Sequence, residues 1–129
     1  MLQCNRNVTK GERSTMSIAA DLIRGHTDAI ILGHLLYKDS YGYEINKSIL
    51  HQSDHRYELK EATLYTAFKR LEDAGYIAAY WGNETTGARR KYYTITQAGR
   101  AAYEQQKKDW ITVRDMIDKL LGTEENDHE

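Results

Sequence analysis

A chain of 129 residues, 40% hydrophobic and 29% charged, has the size and composition of one folded domain without room for an elaborate catalytic cleft. No apolar run approaches the roughly 20 residues a membrane helix needs, the start lacks a signal-peptide core, and the only cysteine, Cys4, excludes an internal disulfide, so a cytoplasmic protein with no membrane partner is expected. The formal net charge of −1 conceals an uneven distribution, because the residues after Gly122 hold Glu124, Glu125, Asp127 and Glu129 with no Lys or Arg, leaving 18 Lys and Arg against 15 acidic residues elsewhere.

Residues 1–16 are polar and aperiodic and are expected to be a disordered extension, with Met16 an alternative start. Ser17 is placed to cap a helix running to about Tyr37. Leu22, His26, Ala29 and Gly33 recur on it at 4-3-4 spacing, a second seam beside the core-facing one that suits contact with a partner subunit. Asp39-Ser40 supplies an N-cap for a helix over about Tyr41 to His51, and Gln52 to Leu59 reads as a polar connection. A third helix spans Glu61 to Ala74, buried through Leu64, Phe68 and Leu71 and ended by Gly75. Strand-like alternation follows over Tyr76 to Trp81 and Lys91 to Ile95. The loop between them ends in Arg89-Arg90-Lys91. Thr96 caps a last helix from Gln97 to Leu121, closed by Gly122. On it Tyr103, Trp110, Val113, Ile117 and Leu120 lie on a coiled-coil-like seam with nothing after it to cover them, which predicts a homodimer.

Helix, helix, helix, hairpin, helix is the order of a winged helix-turn-helix followed by a dimerisation helix, a mainly α fold with a small β-hairpin. The expected organisation is a winged-helix unit over residues 17–95, a dimerisation helix over 96–122 and an acidic disordered tail over 123–129.

Four signatures in order are similar to the PadR family of bacterial transcriptional regulators: Tyr41-Gly42-Tyr43-Glu44-Ile45; Glu61-Ala62-Thr63-Leu64-Tyr65 with Lys69-Arg70-Leu71-Glu72 and Gly75; Gly87-Ala88-Arg89-Arg90-Lys91-Tyr92-Tyr93; and Thr96-Gln97-Ala98-Gly99. The resemblance runs from about Leu22 to Leu121, and one C-terminal helix places it near the short subgroup with multidrug-responsive members. It implies a homodimeric winged-helix repressor that a ligand releases from its operator. Two departures stand out. Thr66 occupies a position that is proline in many members, and Lys60 stands where a helix-capping Ser or Asn is common.

Residues at the start of a reading helix reach base edges in a major groove about 12 Å wide. Thr63 and Thr66 offer hydroxyls and methyls, while Lys60 and Lys69 reach phosphates or guanine. Tyr65 divides between core and phosphate contact. Tyr41 and Tyr43 are more often packing residues, with backbone contact the alternative. Arg89, Arg90 and Lys91 suit a wing lying on phosphates or the minor groove, although strand alternation sends Arg90 to the opposite face. Trp110 is a rigid aromatic able to stack on a flat effector, with Leu22, His26, Ala29 and Val113 as partners; the plainer reading is a coiled-coil core residue. His51 and His55 fall where a helix is ending and lack further ligands, so no metal or other cofactor is expected. No catalytic constellation is present, and the sequence reads as a non-enzyme. The competing class is a winged-helix protein-interaction module that does not bind DNA.

Overall fold

A computed structural model of the chain describes residues 21–82 and 89–123. The expected N-terminal extension with Met16 and Ser17, the acidic residues from Glu124 to Glu129, and the loop stretch 83–88 with Gly87 and Ala88 lie outside the described residues.

A short 3-10 turn, Arg24–His26, leads into α1 (Thr27–Leu35), followed by β1 (Ser40–Tyr41), α2 (Gly42–Gln52), α3 (Glu61–Asp73), β2 (Ile77–Trp81), β3 (Lys91–Ile95) and α4 (Gln97–Leu121). The architecture is mostly helical with one small antiparallel sheet in the order β1-β3-β2. Ile77 pairs with Ile95 and Trp81 with Lys91, so the two long strands are in register along their whole length.

The core forms where the buried stripe of α3 meets α1, α2 and the sheet. Leu64, Ala67, Phe68 and Leu71 are almost fully buried, as are Ile31, Leu32 and Leu35 of α1. Phe68 stacks on Tyr93 of β3 with ring centroids 4.0 Å apart, which ties α3 to the base of the wing. Gly75 ends α3 with φ +81°. Thr96 caps α4 by accepting the Gly99 N–H at 3.0 Å, while its own hydroxyl donates to the Gly75 carbonyl at 2.7 Å. That one side chain therefore joins the end of α3 to the start of α4. Lys60 holds the N-cap position of α3 in extended conformation and gives no side-chain cap.

Several expectations need correction. The first helix is not continuous, because the 3-10 turn at Arg24–His26 interrupts it, and α1 closes at Leu35, two residues before Tyr37. Thr27 donates its hydroxyl to the Arg24 carbonyl at 3.0 Å, a local bond that offers the backbone an alternative to helical continuity. Asp39-Ser40 does not cap α2. Ser40 and Tyr41 instead form a third strand against Tyr93 and Tyr92, too short to show any alternation. The stretch from Gln52 to Leu59 is more than a polar connection, since Tyr57 and Leu59 belong to the core. Asn46 of α2 holds Leu59 in place by accepting its N–H at 2.9 Å and donating to its carbonyl at 2.6 Å. Among the described residues, no helix is long and apolar enough to cross a membrane.

Candidate nucleic-acid interface and the groove beside it

Burial of Leu64, Ala67, Phe68 and Leu71 fixes the rotation of α3, so Thr63, Thr66 and Lys69 are exposed on it and Lys60 is exposed just before it. Lys69 reaches Asp73 at 3.5 Å in a well-exposed pair. Such pairs contribute little, so the ammonium is readily given up to another anion. Tyr65 is 48% exposed and meets Phe68 edge-on, with centroids 5.7 Å apart. Its hydroxyl lies against Gly42, where an added methyl would approach it to 2.9 Å; the start of α2 is thus seated on one flank of α3. Tyr43 is exposed near Lys47, and Tyr41 is half-buried in β1.

The three bases of the wing sit over three different rings. Arg89 lies 5.5 Å from the Trp81 centroid, Arg90 4.7 Å from Tyr41 and Lys91 5.8 Å from Tyr93. Arg90 thereby joins an outer-face cluster that the sequence reading missed. Tyr80 stacks on Tyr92 at 5.6 Å, Tyr41 meets Tyr92 edge-on at 5.3 Å, and the Tyr80 hydroxyl donates to the Asp39 carboxylate at 2.6 Å. Alternation along β2 and β3 puts the tyrosines on one face, but nothing in the sequence announces Asp39 as their partner. Nearby, the Ser40 hydroxyl holds Glu44 below the usual carboxylate range, with Lys38 and Arg90 adding to the effect.

The Asp39 contact pushes the Tyr80 phenol up to about 12, and burial, followed by nearby acidic groups, does the same for Tyr93. Both folded values exceed the ordinary value of about 10. The stabilisation is therefore fully present below about pH 10 and is lost as pH rises through about 12. An absorbance titration of tyrosinate is expected to show two late-ionising phenols, and Tyr80→Phe should remove one of them. Ionisation of every tyrosine together near pH 10 would contradict the Asp39 contact.

A groove of about 590 Å³ runs between α1 and the first half of α4. Its walls include Leu22, His26, Ala29, Gly33, Tyr103 and Trp110. His26 and Trp110 meet edge-on at 4.9 Å, and a methyl on Gly33 would come within 3.1 Å of the Tyr103 ring. The small residue at position 33 is what lets the two helices approach. Val113, expected beside Trp110, is not on these walls and lies exposed further along α4. His34, which the sequence reading did not single out, also lines the groove, and burial holds its imidazole below the ordinary histidine value. Tyr103 is half-buried against its own chain, whereas Trp110, Val113, Ile117 and Leu120 stay between 43% and 77% exposed. His51 and His55 are exposed, and no cluster able to hold a metal occurs among the described residues.

Residues 31–105, from the middle of α1 to the first turns of α4, match the model of the "Transcriptional regulator PadR-like family". The chain belongs to the PadR family. A transcriptional regulator from Clostridium thermocellum is 49% identical with a TM-score of 0.72, covering 78% of this chain and 94% of its own. A PadR family transcription regulator from Clostridium difficile is 37% identical with a TM-score of 0.66, over 74% of this chain and 98% of that one. The chain is also 27% identical over 94 residues to the negative transcriptional regulator PadR of Bacillus subtilis, matching 73% of this chain but only 50% of that protein. Membership of the PadR family makes this chain a DNA-binding transcriptional regulator.

Proposed function

We propose that this PadR-family member is a cytoplasmic, homodimeric repressor released from a pseudo-palindromic operator by a small planar aromatic effector, as in multidrug-responsive members of the short subgroup. In this reading residues 17–95 form the DNA-reading unit and residues 96–122 the dimerisation helix. Thr63 and Thr66 address bases from α3, Lys60, Lys69 and Tyr65 address bases or phosphates, Tyr41 and Tyr43 approach the backbone from the start of α2, and Arg89, Arg90 and Lys91 serve the wing. A groove with Leu22, His26, Ala29 and Trp110 on its walls takes the effector, and Val113 extends the dimer seam.

The observation that carries the proposal is the state of α4. Its 25 residues extend about 38 Å, but only the first half packs on α1. Beyond Trp110, the apolar Val113, Met116, Ile117, Leu120 and Leu121 stay exposed, an uncovered stripe suited to a second copy. The aromatic groove ends where that stripe begins, so an effector in it would touch the element that sets the spacing of two reading heads. A coupling of about 1–3 kcal/mol, or roughly 5- to 150-fold in operator affinity, is typical of such a linkage.

The test is a gel-shift titration on the protein's own promoter with and without a panel of planar aromatic compounds, run in parallel on Trp110→Ala. At least one compound is expected to weaken the wild-type complex. The variant should lose both that response and the fluorescence quenching that accompanies it. A variant that no longer dimerises yet keeps its effector affinity would show that Trp110 serves the seam and not the groove.

A further inference from the structure

A helix about 10–12 Å across in a major groove about 12 Å wide has a wall of phosphates on each side. On one flank of α3, Tyr65 and the start of α2 are in place. The opposite flank is occupied by the 3-10 turn Arg24–His26 and the first residues of α1. Two clefts open there. One, of about 510 Å³, has Arg24, Thr27, Asp28, Thr63, Thr66 and Arg70 on its walls; the other, of about 460 Å³, has Arg24, Thr27, Glu58, Lys60 and Thr63. Arg24, Thr27 and Thr63 are common to both, which sets the arginine beside the first turns of α3. We infer that Arg24 is a further DNA-binding residue, gripping a phosphate on this flank while α3 occupies the groove. The role rests on the reading of α3 as the groove-entering helix.

The turn fixes the backbone of Arg24 and leaves its side chain exchangeable. Thr27, 5% exposed, directs both its hydroxyl and its N–H at the Arg24 carbonyl. The next residue, Asp28, takes two hydrogen bonds from Arg70, pinning α1 to α3 and committing Arg70 to that pair. The Arg24 guanidinium has a different status. It meets Asp21 at 2.9 Å, with both side chains about 70% exposed. An exposed pair of this kind holds weakly, whereas a planar guanidinium binds phosphate through two parallel bonds. Lys60 at the second cleft adds a positive charge, and Glu58 is the carboxylate there that opposes it.

The test uses a duplex selected from a random-sequence pool by the wild-type protein. Binding is titrated over a range of salt for wild type, Arg24→Ala, Arg24→Lys and Asp21→Asn, alongside melting temperature and sedimentation. Arg24→Ala should bind about tenfold more weakly, with a log-affinity against log-salt slope shallower by about 1.8, or 0.9 for each arginine of a dimer. Arg24→Lys should keep most of the slope, and Asp21→Asn should bind at least as tightly as wild type. Wild-type affinity and slope in Arg24→Ala would overturn the assignment, as would a loss matched by lower stability or dimer content. If the wild type enriches no sequence, the reading of α3 itself fails and the Arg24 role falls with it. If it enriches one and Arg24→Ala is silent, only the arginine is wrong.

Discussion

Gly99→Ala is expected to destabilise the fold by about 3 kcal/mol, a fall of roughly 10 °C in melting temperature. Gly99 lies in the first turn of α4, buried against the backbone of Tyr76, which follows α3. A methyl group there would overlap the Tyr76 backbone carbonyl and come within 2.8 Å of Ile95 Cγ1. The carbonyl cannot move aside, because it also accepts the Thr96 N–H at 3.0 Å. The crowding therefore falls on the junction where Thr96 joins α3 to α4, not on a flexible side chain. Gly25 is the control: nothing lies within 4 Å of a methyl built on it, so Gly25→Ala should leave melting unchanged or slightly raised. Equal effects from the two variants would mean that Gly99 does not pack against the Tyr76 carbonyl as described.

Neutralising Arg89 and Lys91 together is expected to reduce operator affinity by about 100-fold or more at physiological salt while leaving self-association intact. Four charges would leave the proposed dimer, so the salt slope should flatten by about 3.6. Both side chains are exposed, and each lies beyond 5 Å from its ring centroid, so their loss removes charge with little packing. Arg90 is left out of this variant because it sits over Tyr41 and acts on Glu44, so its removal would disturb the sheet as well. Binding and salt slope both unchanged would exclude a phosphate role for the wing. Loss of self-association would mean the variant had disturbed more than the wing.

The parts of the fold that depend on local chemistry were legible in the sequence. The 3.6-residue period of Leu64, Phe68 and Leu71 placed the buried stripe of α3. Capping by Thr96 and the glycines at 75 and 122 set the start of α4 and the ends of two helices. Alternation located β3 from Lys91 to Ile95. The two-residue strand Ser40–Tyr41 escaped because its pairing with Tyr92 and Tyr93 joins segments some fifty residues apart, and two residues show no period. Tyr57 and Leu59 looked like loop residues because what buries them, the Asn46 side chain and the core behind it, is also distant in the chain.

The candidate sites divide in the same way. Which residues of α3 point outward follows from helical period once the apolar stripe is known, so Thr63, Thr66 and Lys69 could be named from the chain alone. Their surroundings could not, since packing alone puts Arg24 on the same cleft walls as Thr63 and brings Asp28 to Arg70 and Asp39 to Tyr80. By itself the sequence determined the family, the order of the longer elements and the rotation of α3, because period, capping and charge act over a few neighbouring residues. Only the tertiary structure decided which flank of α3 carries Arg24, where Arg90 rests and how Trp110 meets His26. Those are contacts between segments brought together by burial of a common core, and no local pattern encodes them.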